Sequence, residues 1–233
     1  MSLDQHPAAP RAILFDLDGT LADTAPDLAA AVNLLRTVRG LAPADYALLR
    51  PTASAGARGM IGAAFGLKPE DEGFVELRDG FFANYQAAMA VHSALFPGVP
   101  ELLAGIEQAG LAWGIVTNKP ARFTDPLVPL IGLQGAGCVV SGDTTAHAKP
   151  HPAPLLEAAR RLDLAPAQCW YVGDDLRDIQ AGQAAGMPTI ACGWGYCGAI
   201  EPQGWNADHL LDTPQALLSL LQTTLAATPQ MAA

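Results

Sequence analysis

Six short apolar runs recur along this chain, and helical patterns separate most of them. They lie near Ala12–Phe15, Ala112–Val116, Cys138–Val140, Cys169–Val172, Thr189–Ala191 and His209–Leu211. Runs this short and this apolar read as strands buried on both faces. Pro100–Gln108 carries Leu102, Leu103 and Ile106 at helical spacing, and Pro152–Arg161, Leu176–Ala185 and Pro214–Leu221 follow the later strands. Strands alternating with helices predict an α/β fold, a parallel sheet with helices on both faces.

One connection is too long for that scheme. About 95 residues separate the first strand from the second, whereas a crossover with its helix needs only about a dozen or more. Pro100–Gln108 suffices for the crossover. The surplus, residues 25–95, reads as an inserted helical bundle on a core of residues 1–24 and 96–233. Its helices are expected at Asp27–Arg39, Gly56–Phe65 and Phe74–Met89. Hinges are expected near Asp23–Pro26 and Leu95–Gly98, with Thr24 capping the first helix and Asp27 three residues on.

The chain has 233 residues, 50% hydrophobic and 15% charged, enough for a sizeable core. Its net charge of −10 and the lack of any Lys/Arg cluster argue against a nucleic-acid groove. No run of about 18 apolar residues suggests a membrane span. Met1–Pro10 is polar and does not read as a secretory leader. Cys138, Cys169, Cys192 and Cys197 form no Cys-x-x-Cys pair and read as free thiols. The expectation is a cytoplasmic monomer or homodimer.

The first apolar run stops abruptly in Ile13-Leu14-Phe15-Asp16-Leu17-Asp18-Gly19-Thr20. A buried strand ending in charge delivers Asp16 and Asp18 to the sheet edge where ligands of open α/β sheets bind. Two carboxylates there can hold a hard cation. One can also attack phosphorus while the other moves a proton. This octet resembles the signature of the haloacid dehalogenase-like hydrolases, and later segments match in order. Thr117 stands at the end of Ile115–Lys119, Lys149 precedes a Pro-initiated helix, and Gly173-Asp174-Asp175-Leu176-Arg177-Asp178 follows the run Cys169–Val172.

The resemblance implies a Rossmann-like core with a helical cap over the active site. It implies Asp16 as nucleophile and Asp18 as acid/base. Mg²⁺ would be held by Asp16, the Asp18 backbone carbonyl and Asp174. Thr117, Asn118 and Lys149 would bind the phosphoryl group, with Lys119 the rival of Lys149. Asp178 would orient Lys149 or metal-bound water. Asp175 is expected to cap its helix, with direct metal contact as the alternative. A phosphomutase shares these motifs. A receiver-type signalling module also phosphorylates an Asp, but it is shorter, without a cap.

Within the superfamily the chain is similar to the phosphoglycolate phosphatase group, on Asp16–Pro26, Phe96–Val99, Val116–Pro120, Val172–Ala185 and Gly193–Tyr196. Ser54–Met60, Glu72–Phe74, Val91–Ser93, Trp113-Gly114 and Gly173–Ile179 are similar to the subgroup acting on N-acetylmuramic acid 6-phosphate. A small phosphorylated metabolite is the implied partner. Both substrates carry a carboxylate. Arg58 is the cap residue expected to bind it, with His92 a second candidate for substrate contact.

Overall fold

The computed structural model describes residues 9–198 and 200–227. The polar lead at 1–8 and the tail at 228–233 lie outside them. The chain runs β1 (Ala12–Phe15), β2 (Ala22–Asp23), α1 (Ala25–Thr37), α2 (Tyr46–Leu49), a 3₁₀ stretch (Arg50–Ala55), α3 (Gly56–Phe65), α4 (Phe74–Ala87) and β3 (Ala94–Leu95). It continues through α5 (Val99–Gln108), β4 (Ala112–Val116), α6 (Ala121–Leu130), β5 (Cys138–Val140), α7 (Ala153–Arg161), β6 (Cys169–Gly173), α8 (Leu176–Ala185), β7 (Thr189–Cys192), β8 (His209–Leu211) and α9 (Pro214–Ala227).

The main sheet has the order β5-β4-β1-β6-β7-β8, and its pairs are parallel. Its six strands are the six apolar runs, with β6 and β7 one residue longer than the sequence suggests. Alternation along β1 shows why both faces need helices. Ile13 and Phe15 pack with Leu102 and Ile106 of α5 and Leu217 of α9. Ala12 and Leu14 pack with Leu155 and Ala158 of α7 and Ala181 of α8. No helix among the described residues is long and apolar enough to cross a membrane.

The strand order reverses at β1, which lies between β4 and β6. Such a reversal opens a crevice at the carboxyl ends of the strands. Phe15 is in register with Ile115 on one side and Val172 on the other, so Asp16, Thr117 and Asp174 emerge together.

The long connection is helical, as expected, and α1 packs on α3 and α4. Its two ends meet in a feature the sequence did not suggest. Ala22 pairs with Leu95 and Asp23 with Ala94 in a two-stranded antiparallel ribbon, so the chain leaves and re-enters the core at one point. Thr24 does not cap α1 through its side chain. Its hydroxyl donates to Asp18 instead. Asp27 accepts from the backbone N–H groups of His92 and Ser93 and from the Ser93 hydroxyl, bracing the return segment. Helix α6 was also unforeseen, because Pro126 and Pro129 lie inside it. Phe123 and Leu127 nonetheless recur four apart and are buried.

Candidate active site

Four loops following strands, together with the insertion, enclose a cavity of about 270 Å³. Its floor holds Asp16, Asp18, Thr117 and Lys149; Phe81, Phe82 and Tyr85 of α4 form a wall, and residues 53–57 a rim. Lys149 is the central cation of the floor. Its Nζ lies 2.8 Å from Asp16 Oδ1 and 2.7 Å from Asp178 Oδ1, and donates to Val116 O at 2.9 Å and to the Tyr171 hydroxyl at 2.8 Å. Burial alone would lower the Lys149 ammonium, but the two carboxylates more than offset it and its pKa is raised. Asn118 holds this lysine's backbone from both sides, donating to Lys149 O at 3.0 Å and accepting from Lys149 N–H at 2.9 Å.

The rival lysine has its own acid. Lys119 Nζ donates to Asp18 Oδ1 at 2.8 Å and lies 4.7 Å from the centre of the Tyr85 ring. Sequence alone left the two lysines competing for one role; the fold gives each a carboxylate. Thr117 is buried, lines the cavity and accepts from Lys119 N–H at 3.1 Å.

Asp174 is fully buried beneath two glycines. Tyr196 N–H donates to its Oδ2 at 2.8 Å and the Thr20 hydroxyl to its Oδ1 at 3.1 Å. Gly19 adopts φ +91°, and a Cβ there would come 2.1 Å from Asp174 Oδ2. Only glycine fits so close a backbone approach. Asp175 caps α8, accepting from Arg177 N–H at 2.9 Å, while Asp178 returns to accept from Asp175 N–H at 3.1 Å. The Asp175 carboxylate is also gripped by both arms of Arg177 at 2.8 Å, which engages it away from a metal role. Arg177 reaches across to donate to Ser54 O of the insertion at 2.9 Å.

Oxygens of Asp16, Asp174 and Asp178 lie within 4.8 Å of one another. Asp178 thus joins Asp16 and Asp174, while the Asp18 carboxylate faces Lys119, so the Asp18 group available to a metal is its backbone carbonyl, as the expected set has it. Burial pushes Asp16 up to about 7 against the pull of Lys149, and pushes Asp174 well above the carboxylate range, with Asp16 and Asp178 adding to it. Asp16 Oδ1 is buried, with the Lys149 ammonium at 2.8 Å. Three buried carboxylates share this one ammonium, and an all-oxygen cluster with that excess of negative charge fits a hard divalent cation.

Two expected contacts are not in the cavity. Arg58 is exposed on α3, and His92 is exposed beside the hinge, where its backbone N–H serves Asp27. Neither lines the cavity. Arg58 is carried outward because the cavity rim is the turn of backbone before it, Ala53–Ala57. Tyr85, Arg177 and Tyr196 were missed. Tyr85 sits in an apolar helical stripe indistinguishable from core, and Tyr196 lies in a Gly-rich loop without a recognisable period.

A parallel sheet reversing at β1, with carboxylates at that edge and a helical insertion above, defines a class. A family profile described as haloacid dehalogenase-like hydrolase matches residues 10–186, and the chain belongs to that family. It is a phosphatase of this kind. An N-acetylmuramic acid 6-phosphate phosphatase of Pseudomonas putida is 45% identical over 217 residues, covering 92% of this chain and 97% of that one. A phosphoglycolate phosphatase of Xanthomonas campestris is 47% identical over 210 residues, covering 89% and 95%. The crystal structure of a predicted phosphoglycolate phosphatase from Haemophilus somnus superposes with a TM-score of 0.81 at 27% identity, covering 91% and 97%.

Proposed function

We propose that this protein is a cytoplasmic, Mg²⁺-dependent phosphomonoesterase working through an aspartyl-phosphate on Asp16. The observation that carries this reading is the buried group of Asp16, Lys149 and Asp178 lining the cavity with Asp174 beside them. Mg²⁺ would be held by Asp16, Asp174 and the Asp18 carbonyl, and would supply charge to the phosphoryl oxygens. Asp16 attacks phosphorus in line and the ester oxygen leaves. Asp18 gives that oxygen a proton, then takes one from the water that cleaves the aspartyl-phosphate. Lys119 and Thr24 both hold Asp18 Oδ1, which leaves Oδ2 to carry the proton. Lys149 and Thr117 steady the equatorial oxygens. In this reading residues 25–95 form a cap that excludes water from the core of residues 1–24 and 96–233.

The substrate is N-acetylmuramic acid 6-phosphate in this proposal. Support comes from the Pseudomonas relative and from the cavity itself. Its wall is built from Phe81, Phe82, Tyr85 and Phe123, with Tyr85 and Phe123 meeting edge to face at 5.4 Å. Aromatic faces suit the apolar side of a sugar ring, whereas a two-carbon acid has little to set against them. The cations that line the cavity, Lys119, Lys149 and Arg177, are each paired with a carboxylate, which bears equally on both esters because both carry a carboxylate. The Tyr85 hydroxyl is buried with no hydrogen-bond partner among the described residues, the Lys119 ammonium lying beside its ring, and it is the donor we assign to the leaving alcohol's polar substituents. Phosphoglycolate is the competing substrate, favoured by the Xanthomonas relative. Parallel kcat/KM measurements decide between them: the sugar ester is expected to win, and a preference of about a hundredfold for phosphoglycolate would reject it.

A further inference from the structure

One residue outside the motifs touches both the candidate metal carboxylate and the hinge. Tyr196, in the loop after β7, is buried, and its backbone N–H donates to Asp174 Oδ2 at 2.8 Å. Its hydroxyl accepts from Thr24 N–H at 2.8 Å and Ala25 N–H at 2.9 Å, and donates to Asp23 Oδ1 at 3.0 Å. A phenol has one proton and two lone pairs, so every hydrogen-bonding capacity of this hydroxyl is spent on the hinge. Arg50, from the insertion, lies 4.9 Å over the Tyr196 ring and grips both oxygens of Asp23 at 2.7 Å. Phe96, just past the returning hinge strand, packs on the same ring with centroids 6.4 Å apart.

The loop is seated tightly on the candidate metal carboxylate. A Cβ at Gly195 would stand 2.3 Å from Asp174 Cβ and 2.4 Å from Gly19 O. Trp194 Nε1 donates to Thr20 O at 2.9 Å, fixing the other side. Thr24, whose N–H Tyr196 holds, places its own hydroxyl on Asp18. A continuous set of hydrogen bonds therefore runs from Asp174 through Tyr196 to the hinge backbone, and on to Asp18.

We propose that Tyr196 is a positioning residue that couples cation binding at Asp174 to ordering of the hinge at Asp23–Ala25. Reciprocity follows: if the bound cation orders the hinge, an ordered hinge tightens the cation by the same factor. The coupling is independent of which ester is cleaved.

Amide hydrogen exchange at Thr24 and Ala25, read by NMR in Mg²⁺ and in EDTA without substrate, tests this. Saturating Mg²⁺ is expected to slow both amides by about fivefold or more in the wild-type protein. Tyr196→Phe keeps the N–H contact to Asp174 and removes the hydroxyl. It is expected to abolish that Mg²⁺-dependent slowing and to weaken Mg²⁺ binding by about fivefold in titration calorimetry. Equal wild-type exchange in Mg²⁺ and EDTA overturns the proposal, as does a full Mg²⁺ response in Tyr196→Phe. Should that variant fail to fold, the wild-type comparison stands alone, and Arg50→Gln, which frees the other side of the ring, is expected to blunt the response. Absent phosphatase activity would overturn the functional reading and leave these exchange results intact.

Discussion

Asp16 and Asp18 lie two residues apart in sequence and meet different partners: Asp16 faces Lys149, and Asp18 faces Lys119 and Thr24. Their substitutions should therefore differ in degree. Asp16→Asn removes the nucleophile and should leave no measurable phosphate release with the fold intact by circular dichroism. Asp18→Asn should keep the attack but lose proton transfer, lowering kcat by about 10²–10⁴-fold. Substantial turnover by Asp16→Asn would reject a covalent mechanism.

The same resolution applies to substrate contacts. Arg58 is exposed and off the cavity, whereas the Tyr85 hydroxyl is buried on its wall. Arg58→Ala should change kcat/KM by less than about twofold, and Tyr85→Phe should lower it for the sugar ester by about tenfold more than for an aryl phosphate. A large loss in Arg58→Ala would return that arginine to the site. Both positions are hard to read from sequence for one reason. A helix places side chains by its rotation, and that rotation is set by packing of α3 and α4 on α1.

At the scale of elements, α6 and α4 join insertion to core. Phe123 of α6 is buried between Phe82 and Tyr85, with ring centroids 5.3 and 5.4 Å away. Deleting a buried ring of this size costs about 3–5 kcal/mol through lost transfer energy and a residual cavity. Phe123→Ala should lower the unfolding midpoint accordingly, and should also raise KM because the cavity wall loses its core half. An unchanged KM beside a lowered midpoint would separate packing from substrate binding. Helix α6 is hidden in the sequence because its prolines break the usual helical pattern, although both are accommodated in the structure. The short ribbon β2–β3 was equally hidden, since two-residue strands leave no period to detect.

For the whole molecule, charge and stability are linked through the buried acids. Asp16 is held at about 7 when folded, against 3.8 for the free group, and Asp174 is shifted in the same direction. Between those values the unfolded chain has released protons that the folded protein keeps. The folded state then binds more protons, so metal-free stability falls as pH rises through that window. In EDTA, Tm should drop between about pH 4 and pH 7. Mg²⁺ at about a hundred times its Kd should restore about 2.7 kcal/mol at the higher pH and less at the lower, where protons compete for the same oxygens. A Tm unaffected by Mg²⁺ at the higher pH would count against the assigned ligands. EDTA should likewise stop phosphate release, and Mg²⁺ should restore it.

The parts of this protein legible in its residues are those that local pattern encodes. Buried strands announce themselves as short apolar runs, helices as a 3.6-residue period, and an insertion as a connection too long for its crossover. The acid pair after β1 and the Asp174-Asp175 pair after β6 are legible because a strand must end where its charge begins. What those patterns leave open is contact between distant segments. Which lysine meets Asp16, which face of α4 lines the cavity, and that Tyr196 would hold a hinge 172 residues away all follow from sheet order and packing. These depend on the crossover topology and the rotation of packed helices. A period or a spacing in the chain records neither, because it describes an element and not its neighbours.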